Sequence, residues 1–148
     1  MKLPVTATIT GLFSVPAERV FDAFLDKEMI ARFMFGPEIR DEEIISIQND
    51  PWVGGSFSFV VRRQDKTFSH VGEYVEIDRP KHLVFTWAVK EDPANNQSRI
   101  VIDLATIIDG CELTLTHEMP NAQEGFVEQS KVAWGKMIDK LTEIIDPQ

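Results

Sequence analysis

Cysteine is almost missing from this chain: Cys111 stands alone. A lone thiol excludes an internal disulfide and suits a reducing compartment such as the cytosol. Long apolar runs are missing too. No stretch approaches the ~18 apolar residues that a membrane span needs, so no membrane partner is expected. The N-terminus carries Lys2 and then threonine-rich alternation, not the apolar centre of a signal peptide. Positive charge is scarce, with 15 Lys and Arg against 24 Asp and Glu and a net charge of −9. Such a balance repels nucleic acid and anionic membranes, and Arg62–Arg63 is the one adjacent basic pair. Three separated histidines and one cysteine make no recognisable zinc spacing. Gly54 and Gly55 lack the following helix and Lys-Ser/Thr of a phosphate loop, so they read as a turn. No metal and no cofactor are expected.

What is present is a core. At 148 residues the chain reads as one domain, 1–148, with 43% hydrophobic and 26% charged residues. A chain of that size buries roughly 70% of its unfolded surface, enough to fold without staples. The most regular stretch is Asn121–Asp146. At ~100° per residue, Phe126, Ser130, Ala133, Trp134, Met137, Ile138, Leu141, Ile144 and Ile145 share one stripe of a long helix. Asn121 with Glu124 resembles a capping box, and Pro147 lies just past the end. About 24 residues at ~1.5 Å rise span ~36 Å, the length of a ten-residue strand.

The chain before it alternates. Val5, Ala7 and Ile9 against Thr6, Thr8 and Thr10 predict a strand over 3–13. Pro16 suits the first position of a helix carrying Val20, Phe21, Phe24 and Leu25. Asp26 reads as the N-cap of a second short helix through Met29, Ile30 and Phe33. A loop over 34–42 follows. Ile45 and Ile47 then open a strand, and Gly54–Gly55 turn the chain, with positive φ at one of them. Phe57, Phe59 and Val61 make the next strand, ended by a turn over Gln64–Lys66. Further strands follow over Ser69–Ile77, through Leu83, Phe85, Trp87 and Val89, through Ile100, Ile102 and Leu104, and through Cys111, Leu113, Leu115 and His117. A polar loop over Glu91–Gln97 and the hairpin signal Asp109–Gly110 join the last three. Short turns between consecutive strands make the sheet antiparallel.

Five stretches in this order resemble a known family: VPAERVFDAF (15–24), WVGGSF (52–57), GEYVEIDRPKHLVFTW (72–87), ELTLTHE (112–118) and WGKMIDKL (134–141). The arrangement is similar to the helix-grip fold of the START-like (SRPBCC) superfamily. Within it, the motifs look like those of the activator of heat shock protein 90 ATPase homologues, a family name that implies a stress response. Phe33 stands where that family often has Trp, and Ala133 where it often has Gly. The resemblance implies an α+β fold: a curved antiparallel sheet of about seven strands wrapped around a long C-terminal helix, with a cavity between them. It implies three functions. One is a binding module for a hydrophobic or amphipathic small molecule. Another is a co-chaperone-like domain that docks a chaperone or other protein. The third is a cyclase- or hydrolase-like enzyme using the same cavity.

Phe33, Phe35, Phe57, Phe59, Phe85, Trp87, Trp134 and Met137 are the candidates to line or plug that cavity. Each also reads as plain core. His117 shares the inward parity of Leu113 and Leu115. There it orients a ligand, acts as a general base, or is a hydrogen-bonded histidine at a strand end. Cys111 lies six residues, ~20 Å, from His117 on one strand, which rejects a nucleophile pair and leaves a buried small hydrophobe. His70 and His82 read as surface residues beside turns. Asp41, Glu42 and Glu43 read as a solvated strand approach. Glu73 shares parity with Val71 and Val75: an inward acid needing a partner, or an edge-exposed carboxylate. No catalytic residue is nominated. The expected states are a cytoplasmic monomer, or a homodimer paired along an exposed sheet edge.

Overall fold

The computed structural model describes residues 5–92, 97–120 and 125–146. The capping box proposed at Asn121 and Glu124, and Pro147, lie outside them. The chain forms β1 (Val5–Phe13), α1 (Ala17–Ala23), α2 (Lys27–Phe33), β2 (Glu43–Asn49), β3 (Ser56–Arg63) and β4 (Lys66–Asp78). Then come β5 (His82–Val89), β6 (Ser98–Ile107), β7 (Gly110–Met119) and α3 (Val127–Ile145). The seven strands form one antiparallel sheet in the order β1-β7-β6-β5-β4-β3-β2. The two short helices thus carry the chain from one sheet edge to the other. This is the expected α+β helix-grip arrangement. Among the described residues, no helix is long and apolar enough to cross a membrane.

Local chemistry explains the boundaries. Asp26 caps α2, its Oδ1 accepting the Glu28 N–H at 2.9 Å. Pro16 sits one residue earlier than expected, at the N-cap of α1. Gly54 takes the positive φ, at +87°. Gln64 and Asp65 both have positive φ, which makes a two-residue turn between Arg63 and Lys66. The β6–β7 turn falls on Ile108 and Asp109, with Gly110 already paired in β7.

Two bulges break the expected alternation. One lies between Ile44 and Ser46, so Ile44 and Ile47 pack on the core while Ile45 turns outward. The other lies between Tyr74 and Glu76 and leaves Val75 exposed. Each inserts an unpaired residue that resets the two-residue period. A polar strut crosses this half of the sheet. Tyr74 donates its hydroxyl to Asn49 Oδ1 at 2.6 Å, and Asn49 Nδ2 donates to the Leu25 carbonyl at 2.8 Å. Burial raises the Tyr74 pKa.

The concave face carries the core, and α3 covers it with Trp134, Met137, Ile138, Leu141 and Ile145. Burying each such side chain is worth ~1.5–3 kcal/mol, whereas an isolated helix of this length is marginal in water. The C-terminal half is seated on β1 and α2. Asp146 Oδ1 accepts the Ser14 N–H at 3.1 Å and ties the helix end to the end of β1. At the closest approach, a Cβ on Gly11 would stand 2.7 Å from Ile138 Cγ2. Phe126 departs from the expected buried stripe: it lies at the N-cap and is 51% exposed.

Gly11→Ala should therefore destabilise the protein by ~1–3 kcal/mol, because the helix or Ile138 must shift. Gly135→Ala, where a Cβ meets nothing within 4 Å, should stabilise it by ~0.5–1 kcal/mol through helix propensity. Urea denaturation of both variants measures the contrast; equal midpoints would contradict this seating of α3.

Candidate functional site

Away from its seat on β1, the N-terminal half of α3 faces the ends of β5, β6 and β7 across a cavity of about 370 Å³. That lies within the usual range of small-molecule sites, roughly 300–1,000 Å³. Of the nine side chains nominated from the sequence, Phe35, Trp87, His117, Trp134 and Met137 line this space. Phe57, Phe59 and Phe85 lie one layer behind, with Phe57 5.9 Å and Phe85 6.1 Å from Trp87, ring centre to ring centre. Phe33 belongs to the core beside Phe24, at 5.1 Å edge to face. The wall itself is a chain of rings. Trp87 lies 5.3 Å from Trp134, 5.4 Å from His70 and 6.2 Å from Phe35.

His117 points inward, as its parity requires, and both ring nitrogens are engaged. Trp134 Nε1–H donates to Nδ1 at 3.2 Å, so Nδ1 carries the lone pair. Nε2–H then donates to Ser98 Oγ at 2.7 Å, and the Ser98 hydroxyl donates to the Trp87 carbonyl at 3.0 Å. One donor chain thus runs from helix to sheet. Burial lowers the His117 pKa to about 4, which keeps the imidazole neutral at pH 7. It is a polar rivet in an apolar wall, and neither nitrogen is open to take a proton.

The open imidazole is a different one. His70 is buried and lines the cavity, contrary to its expected place on the surface. The two-residue β3–β4 turn sets Phe59 opposite His70 and Phe57 opposite Gly72, and directly opposed residues share a face. His70, Gly72 and Tyr74 therefore point inward, and Glu73 is exposed. His70 Nδ1 donates to the Phe59 carbonyl at 3.4 Å, which leaves Nε2 with its lone pair and no hydrogen-bond partner among the described residues. Burial first, then the nearby Arg63 charge, lower its pKa to about 4.

Glu42 is the second departure. Instead of being solvated, its carboxylate is fully buried. Oε2 accepts the Gly36 N–H at 2.7 Å and Arg40 Nη1 at 3.2 Å; Oε1 accepts Arg63 Nε at 2.6 Å. Arg40 also donates to the Met34 carbonyl at 2.9 Å. Both arginines line the cavity. Sequence reasoning missed this corner because 34–42 reads only as a loop, although a buried strand end carrying Arg63 asks for an acidic partner. Cys111 is buried as expected, and its thiol pKa is raised by burial. His82 is a surface residue as expected, bonded through Nδ1 to Asp103 at 2.6 Å and through Nε2 to Glu76 at 3.0 Å. Among the described residues, no three His, Cys, Asp or Glu side chains are grouped to hold a metal ion.

A sheet that clasps a terminal helix and leaves a ring-walled hollow beneath it defines a START-like helix-grip protein. Solved structures agree with that fold. A protein from Chromobacterium violaceum is 22% identical, with a TM-score of 0.83 over 97% of this chain and 98% of that one. CalU16 from Micromonospora echinospora is 22% identical, with a TM-score of 0.70 over 96% and 76%. The Aha1 dimer from Colwellia psychrerythraea is 13% identical, with a TM-score of 0.74 over 96% of each chain. At these identities the likeness establishes the fold alone. A search of curated proteins returns no match. The family described as activator of Hsp90 ATPase homolog 1-like protein matches residues 14–146, and the chain belongs to it.

The two lowered histidines give stability a pH dependence. Each binds its proton less well folded than unfolded, so its contribution is complete above ~pH 6.5 and is lost as the pH falls toward 4. Between pH 6.5 and 5 each should cost ~2 kcal/mol. His82 works in the opposite sense: the Asp103 hydrogen bond, then that from Glu76, raise its pKa, so its contribution fades as the pH rises. Urea midpoints at pH 7.5 and 5 should fall steeply in the parent and less in His70→Gln and His117→Gln. A flat parent profile would contradict the burial of these rings.

Proposed function

We propose that the chain is a binding module holding a hydrophobic or amphipathic small molecule between the sheet and α3. The observation that supports this is the cavity of about 370 Å³ under the N-terminal half of α3, walled by Trp87, Trp134, Met137 and Phe35. Phe126, half-exposed at its mouth, adds apolar surface that an occupant would cover. In this reading residues 1–148 form one START-like domain working in the cytoplasm, where the buried Cys111 stays reduced. The cyclase or hydrolase reading ranks below it. His117 has no free nitrogen, and an imidazole with a pKa of about 4, like that of His70, is a weak general base.

Protein purified gently should carry an apolar adduct in native mass spectrometry. Ala133→Phe, which fills space beside Trp134, should lose that adduct. It should also weaken binding of the neutral probe N-phenyl-1-naphthylamine at least tenfold without lowering the unfolding midpoint. A clean apo mass together with no uptake in a lipophile screen would sink the module.

A second reading is a co-chaperone-like docking domain, supported by the family and by Trp52 and Val53, 59% and 61% exposed on the turn between β2 and β3. In that case the chain raises the ATPase rate of an Hsp90, and Trp52→Ala removes the increase. An unchanged rate on adding the parent chain rejects this reading. The Aha1 neighbour is described as a dimer, and the same reading admits a homodimer here.

A further inference from the structure

We infer that the occupant of this cavity is an amphipathic carboxylate, its acid group held by the guanidiniums of Arg40 and Arg63 and its apolar body lying against Trp87 and Trp134. The inference rests on the small-molecule reading above and names the ligand's chemical class.

The unspent guanidinium donors carry it. Glu42 is fully buried and engaged: its two oxygens accept one backbone N–H and one bond from each arginine. One buried carboxylate is therefore shared by two guanidiniums. Each guanidinium has five N–H donors. Among the described residues, Arg40 spends only Nη1 on protein acceptors, and Arg63 only Nε. Arg40 Nη2 and both Arg63 terminal nitrogens keep their donors at the cavity wall.

The guanidiniums are also held in place. Arg40 lies 5.8 Å from the Phe35 ring centre and Arg63 5.0 Å from that of Phe68. Fixed, partly desolvated forks suit the paired oxygens of a carboxylate better than a lone hydroxyl. Among the described residues, the other ionisable groups on the lining are His70, His117 and Asp92. Both histidines are neutral at pH 7. Asp92, beyond the end of β5, brings a second carboxylate, so among the described residues two guanidiniums face Glu42 and Asp92 and the charges balance. An ammonium head offers the guanidinium donors no acceptor, and a hydroxyl head offers a single oxygen where a carboxylate offers two. The volume, at ~30 Å³ per water-sized unit, holds a body of about a dozen heavy atoms.

Three probes on one ring system separate the head groups: 2-naphthoate, 2-naphthylmethanol and 2-naphthylmethylamine, titrated calorimetrically into the full chain at pH 7.5. The acid should bind at least tenfold tighter than the alcohol, and the amine weakest. Raising NaCl from about 50 to about 500 mM should weaken the acid alone. Arg40→Gln, and the double change Glu42→Gln with Arg63→Gln, should bring acid and alcohol within about twofold of each other. The double change leaves no unpaired buried carboxylate, so it guards against a variant that merely unfolds. Equal binding of acid and alcohol by the parent chain overturns the carboxylate assignment and leaves the binding module standing. No binding of any of the three overturns both.

Discussion

A helix of nineteen residues does not hold itself together in water, so the position of α3 depends on what its apolar stripe finds. At the C-terminal end it finds β1 at the one place, Gly11, where a missing side chain lets Ile138 come down onto the strand. At the N-terminal end it meets no such depression. There Trp134 meets His117, and a hydrogen-bonded chain through Ser98 to the Trp87 carbonyl fixes the helix over the sheet. Close contact at one end and a bridge at the other leave a wedge between them. The cavity follows from where the small residue and the large one fall along the interface.

Polar chemistry in that wedge is divided by function. His117 is fully used in holding the wall together, and burial keeps it uncharged. The corner of Arg40, Glu42, Arg63 and His70 is different. It places strong donors and an open imidazole nitrogen at the edge of an apolar space, while the buried carboxylate behind them holds the arginines in place. A wall that is mostly ring and methylene, with polar groups gathered at one side, distinguishes the two ends of an amphipathic guest. Family membership is compatible both with such a guest and with a protein partner. The exposed Trp52 and Val53 lie on the turn between β2 and β3, so the two roles need not compete for one surface.

Much of this was legible in the residues, and the failures fall where register, a bulge or a distant partner decides. Alternation and turn signals located all seven strands, and the 3.6-residue period located the body and end of α3, which begins at Val127 with Phe126 at its N-cap and not Asn121. Five of the nine nominated side chains line the cavity: strand parity points Trp87 and His117 to its walls and the helical stripe points Trp134 and Met137, while Phe35 comes from the 34–42 loop. His70 was misread as a surface residue, while of the two readings of Glu73 the exposed carboxylate holds; both outcomes turn on which face of β4 points inward. A three-residue turn over Gln64–Lys66 gives one parity to β4, and the two-residue turn at Gln64 and Asp65 gives the other. A one-residue change in register turns every side chain of a strand to the opposite face. Ile45 went the same way, through a bulge that no local propensity announces. Glu42 was misread because its partners Arg40 and Arg63 meet it only after the 34–42 loop folds back against β3.

Local sequence by itself determined the elements and their order, since capping, turn chemistry and apolar period act over a few neighbouring residues. Tertiary structure alone decided which face of β4 is inside, how high the helix rides above the sheet, and which charges meet at the cavity wall. Those outcomes depend on pairing across residues far apart in the chain, where a shift of one position or a single absent Cβ changes which side chains can touch.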